Sequence, residues 1–358
     1  MADFKCSIDR EQIIDWLRCD DPIRLEELWQ LADTTRQRTV GDAVHLRGLV
    51  EISNHCDRDC LYCGIRAHNV AVQRYRLERE EILGCARKAL EFGFGTLVVQ
   101  AGEDREIGAG WLAETIRQIK QETSLAITLS LGERDLEEYR QWREAGADRC
   151  LLRFETGRRD LYDRIHPPLA GVRSDRLAML QQLRKLGYEI GSGIMIGIPG
   201  QTYEDLADDI LTFRALDLDM IGVGPYISHP GTPLAKLAGE LAEVPGRQVP
   251  ATVDMGYRVI ALARLVCPMA NIPSTTALAT LDGPAGRVLG LQRGANIIMP
   301  NLTPKKYRQM YEIYPSKAAS TEDAEQSCEL AFRQIADMGR SVGRGRGDSP
   351  NLLKTSQS

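Results

Sequence analysis

No stretch of the 358 residues approaches the roughly 18 uncharged apolar residues that a membrane-spanning helix needs. Nor does an apolar segment follow the first charged positions, Asp3, Lys5, Asp9 and Arg10, as a secretion signal would require. The expectation is a soluble, cytoplasmic protein that engages no membrane. An excess of charge of one sign is also missing. The 45 Lys and Arg and 50 Asp and Glu are interspersed and leave a formal net charge of −5. With no basic stripe to follow a phosphate backbone, nucleic acid is excluded as a partner and a small-molecule substrate is expected. The nine cysteines do not suit a disulfide framework. Their number is odd, the chain is much longer than stapled mini-domains, and only three lie close together.

What is present is an ordinary globular composition, 43% hydrophobic and 27% charged, enough for a large core in one or two domains. Beyond the first 40 residues, short β-prone runs alternate with longer helix-period segments, the pattern of repeated βα units around a parallel sheet. Eight runs stand out: 44–53, 96–100, 125–131, 149–155, 190–197, 220–226, 271–276 and 296–300. Helical segments lie between them at 78–92, 112–122, 135–144, 176–186, 203–216 and 253–266, several followed by a C-capping glycine such as Gly93, Gly146 or Gly187. Eight parallel strands predict an α/β fold with a full (βα)8 TIM barrel. A doubly wound sheet competes, but there the first strand would feed a Gly-rich phosphate turn, and here it feeds cysteines. The expected organisation is an N-terminal helical segment (1–40), the barrel (41–316), a C-terminal helical extension (317–342) and a disordered tail (343–358) whose breaker-rich Arg344-to-Pro350 stretch lacks apolar periodicity.

After the first strand comes NHCDRDCLYCG, in which Cys56, Cys60 and Cys63 have the spacing C-x3-C-x2-C. Thiolates are the usual ligands of iron–sulfur clusters, and three of them leave one iron of a four-iron cube open for a ligand. Structural zinc would need a fourth ligand, and the only local candidate, His55, is adjacent to Cys56 and outside the common zinc spacings. In a barrel the loops after the strands build the active site, and these cysteines sit in the first of them.

At the end of the fourth run, Arg153 and Glu155 fall on one face, able to grip a zwitterion or simply to neutralise each other. The fifth run, with Gly191, Gly193 and Met195, is studded with glycine, which lets a flat ligand approach the backbone. Thr275 and Thr276, Met299, and Tyr311 with Tyr314 would face the cavity mouth, although the tyrosines also fit a helix packing an aromatic stripe on the barrel rim. Cys6, Cys19, Cys85, Cys150 and Cys267 lie scattered in apolar surroundings and are assigned no role.

The cysteine spacing, with Tyr62 before the third cysteine, resembles the signature of the radical S-adenosylmethionine (SAM) superfamily. The resemblance implies one [4Fe–4S] cluster and SAM as cofactors, with the amino-acid part of SAM on the open iron, adenine against the backbone near Tyr62 and the glycines of the fifth strand, and a 5′-deoxyadenosyl radical as the product of reductive cleavage. Longer stretches, among them LVVQAGED (97–104), EAGADRCLLRFET (144–156), GYEIGSGIMIGIPGQ (187–201), NIPSTTA (271–277) and GANIIMPNLTPKKYRQMYEIYP (294–315), resemble the HydE family of [FeFe]-hydrogenase maturases over residues 40–316. That likeness implies action on a small cysteine-bound iron carbonyl cyanide unit in concert with HydG- and HydF-like proteins, with electrons from a ferredoxin or flavodoxin. It also implies that Arg153, Glu155 and Arg176 hold SAM, and that Gln100, Thr128, Arg149, Thr275, Thr276, Met299, Tyr311 and Tyr314 line the substrate cavity. Ala101 and Phe154 depart from the Ser and His of the family pattern. After Tyr314 the chain offers only Cys328, so the second, peripheral cluster of some family members is not expected. Methylornithine synthase, acting on lysine, shares the barrel and cysteine loop and is the alternative reading. A non-catalytic cluster scaffold is another. Biotin synthase fits less well, since no set of ligands for its auxiliary cluster is evident.

Overall fold

The computed structural model describes residues 8–169, 173–242, 245–318 and 322–352. Cys6 and residues 353–358 of the expected tail lie outside them. Nine strands are described: β1 (His45–Ser53), β2 (Thr96–Ala101), β3 (Ala126–Ser130), β4 (Arg149–Leu151), β5 (Glu189–Ser192), β6 (Met195–Ile196), β7 (Met220–Ile221), β8 (Gly224–Pro225) and β9 (Ile297–Ile298). Seven of them form one curled, wholly parallel sheet in the order β7-β5-β4-β3-β2-β1-β9. Strands buried on both faces carry nearly continuous apolar runs, as Leu97-Val98-Val99 and Ala126-Ile127 do here.

The expected seventh strand, 271–276, forms no ladder. Single parallel bridges join Met220 to Asn271 and Pro273 to Ile297, so this segment reaches both edges of the seven-stranded sheet. The fifth and sixth runs also differ from expectation, because each breaks in the middle. β6 and β8 leave the main sheet and pair only with each other. A Cβ on Gly193 would lie 1.7 Å from the carbonyl oxygen of Gly222, so the two chains cross at the break closer than any other residue allows.

Helices α1 (Arg10–Arg18) and α2 (Pro22–Val40) precede the sheet, each opened by an aspartate N-cap, Asp9 and Asp21. The helices that follow, α3 (Arg79–Glu91), α4 (Ala109–Glu122), α5 (Leu136–Glu144), α6 (Arg159–Ile165), α7 (Arg176–Lys185), α8 (Tyr203–Ala215), α9 (Pro233–Leu241), α10 (Val253–Val266), α11 (Thr276–Leu281), α12 (Gly283–Gln292), α13 (Lys305–Arg308) and α14 (Ala324–Asp337), pack outside it. Gly93 and Gly146 take φ of 74° and 114° just past α3 and α5, the left-handed step that ends a helix and turns the chain into the next strand.

The tail is ordered where it is described. Val342 bridges Val44, the Thr96 hydroxyl and Arg149 Nη2 both donate to the Arg346 carbonyl, and Arg47 Nη2 and Asn271 Nδ2 donate to the Gly347 carbonyl at 3.0 Å. Residues 342–349 thereby cross the N-terminal ends of the strands, opposite the cysteine loop. No helix of the described residues is long and apolar enough to cross a membrane.

Candidate active site

The cysteine loop leaves β1 and folds over the C-terminal ends of the strands. Its backbone is tied on three sides: Asp57 N–H donates to the Glu103 carbonyl (2.9 Å), Leu61 to Ile165 (2.9 Å) and Gly64 to Ile313 (2.9 Å). Leu61 and Tyr62 pack on a small apolar cluster of Leu161, Ile165, Met195, Ile198, Tyr226 and Leu234, a dry collar beside the thiols. Burial raises the pKa of all three thiols, Cys63 to about 12, and proximity of the others adds to the effect for Cys60 and Cys63. Thiols in such a place are held as thiolates only against a cation, which is what bound iron supplies. Among the described residues no three His, Cys, Asp or Glu side chains gather around a single-ion site; a cube spreads its irons over separate corners and asks for no such gathering.

Below the loop lies a cavity of about 330 Å³ inside the curled sheet, lined by Tyr62, Cys63, Arg153, Glu155, Arg176 and Met195 at the cysteine end. Gln100, Thr128, Thr275, Thr276, Met299, Tyr311 and Tyr314 line it further on. Gln100 Nε2 donates to the Tyr311 hydroxyl (3.2 Å), and the tyrosines lie beyond the short helix α13, so the rim-helix stripe considered from the sequence is not what forms. Arg153 Nη2 meets Glu155 Oε2 at 2.8 Å and donates to the Ile194 carbonyl at 2.7 Å. Among the described residues no hydrogen-bond partner reaches the buried Arg153 Nε or Thr128 Oγ1. Buried polar atoms are nearly always satisfied, so these two are open to a polar partner.

Three expected site residues sit elsewhere. Arg149 is fully buried at the floor, its guanidinium bonded to Glu189 Oε1 (3.0 Å), the Thr96 hydroxyl (2.9 Å) and the Asp348 carboxylate, because it begins its strand at the N-terminal end. Gly191 and Gly193 face neighbouring chain, not the cavity: a Cβ on Gly191 would meet Met220 and Leu151 within 3 Å. Of the two departures from the family pattern, Ala101 lines the cavity, whereas Phe154 points into the core against Phe213, ring centres 5.9 Å apart.

Several contributors had no sequence signal. Lys317, beyond the expected barrel boundary, lines the cavity and pairs with the fully buried Glu51, which also accepts from Asn301 Nδ2 (3.0 Å). Arg47 forms part of the floor, its pKa drawn down to about 9 by burial and then by Arg149. His166 accepts or donates at Nε2 with the Tyr62 hydroxyl (2.8 Å) and stacks on Tyr162 at 4.3 Å; burial, then Arg176 and Arg58, keep it neutral. Glu103 and Glu133 follow β2 and β3 and flank Arg176. Burial opposes ionisation of Glu133, but Arg176, Ser174 and Arg58 outweigh it and lower its pKa. The only hint in the sequence is that each acid closely follows a strand end.

The radical SAM superfamily model matches residues 50–213. Among curated relatives, the [FeFe] hydrogenase maturase subunit HydE of Thermotoga maritima is 41% identical over 346 residues, 97% of this chain and 95% of the relative. The 3-methylornithine synthase of Methanosarcina acetivorans is 29% identical over 76% of this chain and 74% of its own. Among solved structures, methylornithine synthase (PylB) superposes with a TM-score of 0.78 at 24% identity, covering 94% of each chain, a likeness of fold.

Proposed function

Because the chain belongs to the radical SAM superfamily and, within it, to the family of the [FeFe]-hydrogenase maturase HydE, we propose that it acts on a small cysteine-bound iron carbonyl cyanide precursor of the hydrogenase diiron unit. It is a radical SAM enzyme, with a [4Fe–4S] cluster and SAM as cofactors. When bound, these supply reductive cleavage of a sulfonium bond and, from it, a 5′-deoxyadenosyl radical. The observation that carries the reading is the meeting, at one end of one cavity, of the three-cysteine loop, whose half-buried Cys63 lines it, with the Arg153–Glu155 pair and its unsatisfied Nε.

Each residue then has a task. Cys56, Cys60 and Cys63 hold three irons. Arg153, Glu155 and Arg176 bind the charged methionyl end of SAM, and the backbone beside Tyr62 and Met195 receives the adenine side. Gln100, Thr128, Thr275, Thr276, Met299, Tyr311 and Tyr314 surround the substrate, with the Thr128 hydroxyl free to donate to it. The enclosing sheet keeps water from a reactive radical. We take the barrel to be a complete (βα)8 ring with residues 271–276 as one of its eight strands; the Met220–Asn271 and Pro273–Ile297 bridges support this. The proposed setting is the cytoplasm, with HydG- and HydF-like proteins before and after it and a ferredoxin or flavodoxin as electron donor.

Anaerobic reconstitution is expected to give about four irons per chain, and reduction with SAM to release 5′-deoxyadenosine, both lost in Cys60→Ala. For the maturase role, the chain replaces HydE in a hydrogenase maturation system, where active hydrogenase is expected. A hydrogenase that stays inactive while SAM is cleaved would favour a lysine-directed mutase instead.

A further inference from the structure

Four charged side chains of alternating sign form a closed ring beneath the cysteine loop. Arg58 Nε meets Glu103 Oε2 at 2.5 Å and Arg58 Nη2 lies 3.1 Å from Glu133 Oε2. On the other side, Arg176 Nε meets Glu133 Oε1 at 2.8 Å and Arg176 Nη2 lies 3.2 Å from Glu103 Oε1. Side-chain exposures of 5% for Arg58, 5% for Glu103, 13% for Glu133 and 10% for Arg176 put all four largely out of water, where each charge depends on its neighbours.

The ring joins parts of the chain that lie far apart in sequence. Arg58 lies between Cys56 and Cys60, Glu103 follows β2, Glu133 follows β3, and Arg176 opens α7 and donates through Nη1 to the Arg153 carbonyl at 2.7 Å. Glu103 is wedged in place, since a Cβ on Gly132 would lie 1.9 Å from its Cγ. Arg58 therefore touches the cysteine loop on one side and, through two acids and Arg176, the Arg153 side of the cavity on the other.

We propose that Arg58 is a positioning residue: through this ring it fixes the cysteine loop relative to Arg153 and Arg176, so that what the thiols hold and what the two arginines bind keep one mutual orientation. The proposal rests on the radical SAM reading and assigns Arg58 no contact with either cofactor.

The test compares wild type, Arg58→Gln, Arg58→Lys and Glu133→Gln after anaerobic reconstitution. Wild type must load its cluster and bind SAM, and failure there ends the radical SAM reading rather than this one. Arg58→Gln keeps all three thiols, so its iron and sulfide content is expected to match wild type. Its SAM affinity, titrated by the change SAM makes in the EPR signal of the reduced cluster, is expected to fall about ten- to hundredfold. KM for SAM rises by more than kcat falls, and Arg58→Lys recovers part of the loss. Glu133→Gln, which opens the ring away from the cysteines, weakens SAM binding in the same direction. A loaded Arg58→Gln with wild-type SAM affinity overturns the proposal. So does a variant that loses cluster while its loaded fraction binds SAM normally. Should Arg58→Gln not fold, Arg58→Lys and Glu133→Gln decide by the same readouts.

Discussion

Glu155 brings its carboxylate to the cavity from a backbone φ of 63°, a region that side chains with a Cβ rarely adopt. The strain is held by two strand-like bonds, Glu155 N–H to the Gly193 carbonyl (3.1 Å) and Met195 N–H to the Glu155 carbonyl (3.0 Å). Below the same turn, Gly157 N–H donates to Asp209 Oδ1 at 2.5 Å from α8. Asp209 is fully buried, and burial pushes its pKa up from 3.8 to about 7 against the bonds from Gly157, Thr156 and Gln201. Between pH 4 and 7 the folded chain then keeps a proton that the unfolded chain has released. Stability must fall as pH rises through that window, by at most about 1.4 kcal/mol per pH unit from this group. Asp209→Asn keeps an acceptor for Gly157 and removes the titration. Urea unfolding of the apo proteins from pH 5 to 8 is expected to show the variant gaining on wild type as pH rises. Parallel curves would mean that Asp209 does not keep its proton in the folded chain. Of the site residues, Cys56, Cys60 and Cys63 were legible because their chemistry is written in local spacing. Glu103 and Glu133 were not, since the loops after two different strands bring them to the site, and nor was Asp209, which α8 carries beneath the Glu155 turn. Arg149, expected at the cavity from the family resemblance, opens its strand at the N-terminal end and bonds to Glu189 there instead.

At the scale of elements, helix positions follow the 3.6-residue period and their glycine stops closely, and seven of the eight expected runs contribute strands to the main sheet. What the periodicity does not carry is pairing. Ile194, Met195 and Ile196 are buried whether or not the ladder continues through them, so the fifth run reads as one strand although it changes partner at Gly193. The contact that forces the break is non-local, Gly193 against the Gly222 carbonyl. Gly193→Ala has rigid backbone in its way and is expected to cost about 3 kcal/mol or more, the upper range for overpacking. Gly191→Ala meets mainly the ends of the Met220 and Leu151 side chains and is expected to cost less, about 1 kcal/mol. Denaturant midpoints of the two variants give the comparison, and equal losses would remove the crossing of β5–β6 over β7–β8 as the reason for the glycine.

The whole molecule closes its sheet by different means at its two ends. Over the C-terminal ends lies the cysteine loop. Across the N-terminal ends runs the tail, whose Arg346 and Gly347 carbonyls and Asp348 carboxylate cap the neighbouring guanidiniums of Arg47 and Arg149, while Glu189 accepts from Ser349 N–H at 3.0 Å. A stretch so rich in glycine and arginine reads as disordered because it has no core of its own; its order comes from buried charges more than 150 residues away. Removing residues 343–358 uncovers those charges, and breaking buried pairs of this kind typically costs about 3 kcal/mol or more. For a chain of this size that is a fall in Tm of about 4 °C or more. Iron loading is expected to be retained, because the cysteines lie at the far end. Asp348→Asn should cost less, since both carbonyl caps remain. Gly95 supplies the sharper test: a Cβ there would lie 1.6 Å from the Gly345 carbonyl oxygen, so Gly95→Ala must push the tail off its seat. Its cost is expected to be close to that of truncation in the full chain and nearly zero in the truncated one. Losses that simply add would show that Gly95 and the tail act independently, and the tail would then be an attachment rather than the floor of the barrel.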